Sequence, residues 1–278
     1  MMTMALPTGA KAAAGTCANP LAKGIPNRSA GAPTGSDLMS HLMNVSGSER
    51  DRAITKQVLA GNIPGFLRDL IPVSIRGKLA NGTSILVTLC VTPGYLAVGS
   101  DRDFVRVPMG LAAAARVAVE MGFLLPTTKI VDTIYAQAEI RVSPRPMKPT
   151  PQMESTDYLL RHNRTLDAQF AKIGYEPDAL TAGQKKDIVL TNRLRSKPGR
   201  VPIYGWHRSS GKPIQPLSTV HGAGYADYSH GVRLISQTAY IDGRPVALAD
   251  LMRDRDLSRF VSSEGPIRDA TGLLASLR

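Results

Sequence analysis

Residues 71–107 read IPVSIRGKLANGTSILVTLCVTPGYLAVGSDRDFVRV, and this stretch decides the fold class. Ile71, Val73 and Ile75 alternate with polar residues, the period of a strand with one buried face. Asn81-Gly82 is a strong hairpin signal, because both residues accept the positive φ of a tight turn. Ser84–Val91, apolar except for Ser84 and Thr88, reads as a buried strand. Pro93-Gly94 then turns the chain into Tyr95–Val98, and Asp101–Asp103 turns it into Phe104–Val107. The expectation is an antiparallel meander of about four strands.

Helices are predicted on both sides of it. Upstream, Ser36-Asp37 can cap a short helix to Val45. Ser48 with Asp51 opens a second, carrying Ile54, Val58 and Leu59 and ending at Gly61. Pro64 suits the first turn of a further short helix ending near Leu70. Downstream, Leu111–Met121 is Ala-rich and stopped by Gly122. Thr127 or Thr128 caps a helix bearing Ile130, Val131, Ile134, Tyr135 and Ala138. Four prolines (Pro144, Pro146, Pro149, Pro151) make an extended connector. Ser155-Thr156-Asp157 caps a helix to about Ile173. Candidate strands follow at Asp187–Leu194, Val201–His207, Ile214–Val220 and Gly231–Ile241, the last ending in the Asp242-Gly243 turn. Short helices are expected at Val246–Arg253, Leu257–Ser262 and Asp269–Leu277. Strands in runs, not alternating strictly with helices, argue α+β: antiparallel sheets with flanking helices. Residues 1–35, rich in Ala, Gly, Pro, Thr and Ser, read as a flexible tail. Residues 36–278 read as a single α+β domain, with 36–142 and 152–278 as the alternative subdivision at the connector.

The chain of 278 residues carries a net charge of +12. From Gln184 to Pro213, eight basic residues face Asp187 alone, a net +7. Such a segment favours an anionic polymer as partner, cell wall or nucleic acid. No apolar run approaches the roughly 20 residues of a membrane helix, so no membrane span is expected. The N-terminus lacks a Sec-type signal, which points to the cytoplasm or to export without one. Cys17 and Cys90 read as two free thiols, in keeping with a reducing compartment.

Chemistry concentrates in Val201–Leu234, VPIYGWHRSSGKPIQPLSTVHGAGYADYSHGVRL. It holds three of the five histidines, His207, His221 and His230, and the only tryptophan, Trp206. Histidine moves protons near neutral pH, and Asp227 is the carboxylate that can orient one. A His, an Asp six residues on and a second His can also bind a divalent metal. The spacing matches no zinc signature and HExxH is absent, so no cofactor is predicted. Ser218 and Ser229 are candidate nucleophiles. Ser229 and His230 are neighbours on a strand and point to opposite faces, so His221 or His207 is the better base for Ser229. Gly222 and Gly224 can present N–H groups to an oxyanion. Lys185, Lys186 and Arg233 can hold an anion. Trp206 and Tyr225 can stack against a ligand, and His162 is a further contributor from its helix.

Ser229–Leu234, SHGVRL, resembles the SHGCxR motif of the L,D-transpeptidases, and His221-Gly222 matches the upstream His-Gly of that family. The resemblance implies acyl transfer on peptidoglycan peptide, with His230 as base and Arg233 on a substrate carboxylate. It covers about 14 residues, and Val232 stands where the nucleophilic cysteine belongs. More broadly, IYGWH, PIQPLS and YADYSHG together resemble a bacterial family of hypothetical proteins, which brings no chemistry to transfer. The leading expectation is a hydrolase or transferase acting on an amide or ester of an anionic polymer, cell-wall peptide first. The alternatives are a basic nucleic-acid-binding protein and a secreted interaction protein.

Overall fold

A computed structural model describes residue 17 and residues 24–45, 47–174 and 177–278. In chain order, helices α1 (Gly35–His41) and α2 (Gly47–Leu59) lead to strands β1 (Ile71–Lys78), β2 (Ser84–Val91), β3 (Ala97–Gly99) and β4 (Phe104–Arg106). Then come α3 (Leu111–Glu120), β5 (Phe123–Leu124), α4 (Thr128–Gln137), β6 (Ile140–Arg141) and α5 (Thr156–Ile173). The second half has β7 (Thr181–Ala182), β8 (Lys186–Ile188), α6 (Arg193–Ser196), β9 (Ile203–His207), β10 (Pro213–Ser218) and β11 (His230–Gly231). It closes with β12 (Ile235–Ile241), β13 (Arg244–Ala247), α7 (Leu248–Arg253), α8 (Ser258–Val261) and α9 (Ala270–Ala275). The fold class is α+β.

The expected hairpin forms between β1 and β2, with Ile71 opposite Val91 and Lys78 opposite Ser84. Its turn uses Gly82 at φ +87°. The far edge of β2 pairs with β12, and β12 turns into β13 through Asp242 and Gly243, both at positive φ. β5 pairs with the start of β12. This central sheet therefore takes strands from both sides of the proline connector. The expected meander is split, because β3 and β4 pair only with each other. A second sheet runs β10-β9-β8-β11, and its β8–β11 contact is parallel.

Two predicted strands are shorter than expected. Asp187–Leu194 keeps only its first residues as β8. There the Glu264 carboxylate accepts from Thr191 Oγ1 and from the Asn192 N–H, and α6 begins. Gly231–Ile241 is interrupted at 232–234, where the chain bonds instead to the Pro93-Gly94 turn. Leu96 donates to Val232 O and Thr92 to Leu234 O.

The reading of two free thiols is overturned. Cys17 and Cys90 form a disulfide with Cα atoms 5.4 Å apart. The strand signal at Cys90 was sound, but spacing along the chain says nothing about a partner 73 residues away. The flexible-tail reading falls mostly on residues outside the described set. Of the described part, Ile25 is buried, and Arg28 bonds Asn62 Oδ1, Ala32 O and Pro33 O. Gly61 sits at φ +79°, and a Cβ there would meet Pro26 O at 2.1 Å, so the position needs glycine on both counts. Ile25, Pro26 and Arg28 thus hold this segment to the body of the protein.

α5 carries the capping the sequence promised. Ser155 accepts from the Tyr158 N–H at 3.2 Å, and Gly174 ends the helix in the left-handed region. Its buried face includes Tyr158, Leu159, His162, Leu166 and Phe170. Among the described residues no helix is long and apolar enough to cross a membrane.

Candidate functional site

The short parallel contact between β8 and β11 builds the site. It sets His230 opposite Lys186, and the Lys186 N–H donates to Ser229 O at 2.7 Å. The lysine pair and the YADYSH loop, more than 35 residues apart in sequence, become one cluster. β9 supplies the third wall. Gly205 (φ +106°) and Trp206 (φ +57°) are consecutive left-handed residues, and the Trp206 N–H donates to Lys185 O. The left-handed region costs a non-glycine residue on the order of 1–2 kcal/mol. The kink carries the indole beneath Lys186, whose Nζ lies 5.1 Å from the ring centroid. Trp206 packs edge-on to Tyr228 and His162 and is buried.

Asp227 is the hub. Its Oδ1 accepts from the Ser229 N–H at 2.7 Å and from Ser229 Oγ at 2.5 Å. Its Oδ2 accepts from Tyr225 Oη at 3.1 Å and faces Lys186 Nζ at 3.6 Å. Burial pushes the carboxyl up, but the neighbouring His230 and Lys186 and the bonds from Ser229 outweigh it and hold it down at about 2. Asp227 is therefore a carboxylate at neutral pH.

His230 is fully buried, and among the described residues neither ring nitrogen has a hydrogen-bond partner. Burial lowers its pKa to about 4 against the pull of Asp227, with Lys186, His221 and Lys185 adding to the lowering. It is a neutral imidazole at pH 7, so the lasting cation beside Asp227 is Lys186. The Tyr225 ring stands edge-on to His230 at 5.6 Å, and the exposed His221 stacks on Tyr225 at 4.1 Å. His221 and Tyr225 thus form a two-ring cover over the buried histidine. Beneath it, Lys185 is also buried. Its Nζ donates to Tyr228 O at 2.6 Å and lies 3.4 Å from His162 Nδ1. Burial first, then the charge of Arg106, brings this amine down to about 7. Burial and the Lys185 charge hold His162 neutral, at about 2.

Lys185, Lys186, Trp206, Tyr225, Asp227, Ser229 and His230 are therefore brought together, with His221 at the rim. Ser229 Oγ is spent on Asp227 and buried. Gly222 and Gly224 are exposed, and no hydrogen bond among the described residues uses their N–H groups. Two residues lie elsewhere. His207 stacks on Tyr135 at 4.5 Å and bonds Asp132 through Nε2 at 2.9 Å, a pairing that Tyr204 Oη shares. Arg233 donates to Thr92 O and Thr181 O beneath the Tyr95 ring, which lies 4.4 Å away. Among the described residues no three His, Cys, Asp or Glu side chains are placed to hold a metal ion.

Several participants carried no signal in the sequence. Asp132 sits on a helix whose legible feature is its apolar stripe. Glu154 ends the proline connector, and its Oε1 anchors the Ala226 N–H at 3.0 Å. Asp187 is buried, accepts from Tyr95 Oη at 2.8 Å, and is raised by burial to about 6 despite Arg233. His162 could be suspected only as one more histidine, and its place beside Lys185 depends on how α5 packs.

A scan against protein-family models finds no match, and no curated protein or solved structure matches the chain.

Proposed function

We propose that the protein is an acid–base enzyme, a hydrolase or acyl transferase acting on an amide or ester bond of an anionic polymer, with cell-wall peptide as the leading substrate. The observation that carries this reading is His230. A neutral imidazole with both nitrogens unpartnered, beside an ionised carboxylate and an ammonium group, is unusual inside a protein, where polar groups are otherwise paired. His230 takes the proton from the attacking group as its oxygen or nitrogen bonds to the acyl carbon, and returns it to the leaving amine or alcohol as the scissile bond breaks. Asp227 stabilises the imidazolium that forms, and Lys186 and Tyr225 fix Asp227. Because Ser229 Oγ is committed to Asp227, the nucleophile is water or a substrate amine. The rings of His221 and Tyr225 must move aside to admit the substrate, and the Gly222 and Gly224 N–H groups on the same loop are the oxyanion donors. The Cys17–Cys90 disulfide favours an oxidising compartment, hence export.

The test incubates the full chain with purified wall-peptide fragments and reads bond cleavage or transfer by mass spectrometry. Turnover is expected for the wild type, with a loss of at least ~100-fold in H230Q, the scale of general-base catalysis. Absence of turnover on both amide and ester substrates, or full activity in a folded H230Q, overturns the reading.

A further inference from the structure

The sequence assigns anion binding to Lys185, Lys186 and Arg233, yet Lys185 and Arg233 are buried with their charges on backbone carbonyls. Three exposed arginines of the basic segment also donate to carbonyls: Arg193 to Leu217 O, Arg195 to Arg268 O and Arg200 to Val220 O. A further set of exposed, unpaired cations lies along one helix. A groove of about 760 Å³ runs between α5 and the proline connector, lined by Arg145, Met147, Arg161, Arg164, Gln169 and Lys172 among others. All four of its cations are exposed, none is in an ion pair among the described residues, and no acidic residue lines it. Asp167, the nearby acid on α5, is turned to Arg106 and Asn163.

The groove is built. Arg161, Arg164 and Lys172 fall at helical spacing on the solvent face of α5, spread over roughly 16 Å at 1.5 Å per residue. The Arg161 guanidinium rests on the Tyr158 ring at 5.2 Å, and Arg145 projects from the facing connector. The connector is held in place, because Gln169 Nε2 donates to Ser143 O and the Met147 N–H donates to Tyr228 Oη at 2.8 Å. That last bond joins the groove wall to the YADYSH loop. The helix that displays the cations outward also sends His162 inward to Lys185.

We propose that this groove binds a linear phosphate-bearing polyanion and delivers it to the site. Three guanidiniums around one groove suit phosphate. A planar carboxylate is satisfied by a single fork, whereas phosphate oxygens take donors from several. The groove lining includes no aromatic ring on which a base could stack, and single-strand binders rely on such stacking. A base-free polyphosphate or phosphodiester chain therefore fits better than nucleic acid. The inference extends the proposed substrate class and rests on that reading only for the bond cleaved, since binding is read without turnover.

Fluorescence anisotropy of the full chain with labelled linear polyphosphate, across a salt series, tests it. The R145A/R164A/K172A triple variant is expected to bind at least tenfold more weakly at low salt. Its slope of log affinity on log salt should be shallower by about 2, taking ~0.7 per lost contact. A control triple of equal charge loss on the far hairpins, R76A/K78A/R244A, should change affinity less than twofold. K172E alone should weaken binding in the same direction as the groove triple. Equal weakening in both triples, no binding by the wild type, or tighter binding of oligo-dT or polyglutamate than of polyphosphate overturns the proposal. Loss of turnover in the wild type with binding intact would sink the enzymatic reading and leave this one standing.

Discussion

Replacing Arg233 separates a substrate-binding arginine from a structural one. The L,D-transpeptidase resemblance places a carboxylate-binding arginine at this position, but the side chain is buried and faces inward. It donates to Thr92 O at 2.8 Å and Thr181 O at 2.6 Å, tying the end of β2 to β7, and its guanidinium covers the Tyr95 ring. Hydrogen bonds from a charged donor contribute ~1.5–3 kcal/mol each, and removing one partner of a buried charge pair costs ~3–5 kcal/mol. R233M keeps much of the volume and loses both bonds, so a loss of about 4 kcal/mol is expected at neutral pH. Asp187 modulates that figure. Its carboxyl already sits at about 6, raised by burial and held from rising further first by Arg233. Without the arginine its folded pKa climbs further above the unfolded value. A raised carboxyl withdraws stability as pH increases from the unfolded pKa through the folded one. The deficit of R233M should accordingly be larger at pH 8 than at pH 5, where Asp187 is protonated. Urea denaturation followed by circular dichroism reads this directly. With a slope of about 3 kcal/mol per molar, the midpoint should fall by ~1.3 M. A variant with an unchanged midpoint at both pH values, but weakened substrate binding, would refute the structural role.

The disulfide and the buried histidine each make a further outcome testable. The unfolded, unreduced chain should show no titratable thiol. Reduction, or C17S, should destabilise it by up to ~4 kcal/mol, the loop-closure value for a separation of 73 residues. His230 is lowered from 6.5 to about 4, so its neutral burial penalises the folded state in acid. Relative to H230Q, the wild type should gain stability as pH rises from about 4 to 6.5, by ~3 kcal/mol in all, read as the difference between melting curves across that window.

How much of this was legible in the sequence depends on the range of the interaction. The β1–β2 hairpin, the α3 and α4 stripes and the Ser155 cap of α5 are written in neighbours, and the sequence shows them. Where a distant group intervened, local reading overshot. The strand expected from Asp187 ends early because Glu264 captures Thr191 and Asn192. The strand expected from Gly231 breaks because residues 232–234 answer the Pro93-Gly94 turn. The disulfide is the extreme case, since neither cysteine carries any mark of the other.

The site follows the same rule with one instructive exception. Histidine, aspartate and glycine in one short loop were enough to mark 221–230, but not to say which atoms would meet. That Ser229 bonds Asp227 is a two-residue relation that a turn can make on its own. That Lys186 lies beside His230 requires β8 and β11 to run parallel, a pairing with no local signature. The basic segment divides in a way that its charge count does not show. Lys185 is buried, whereas the arginines at 193, 195 and 200 stay exposed while each donates to a carbonyl across a loop. A cation stripe on a helix, by contrast, is set by spacing alone. Arg161, Arg164 and Lys172 lie opposite the buried face of α5, so their exposure follows from the same periodicity that buries Leu159, Leu166 and Phe170. On this chain the reach of an anion is governed by where cations are left over after the fold has used its share, and one such remainder lies along α5.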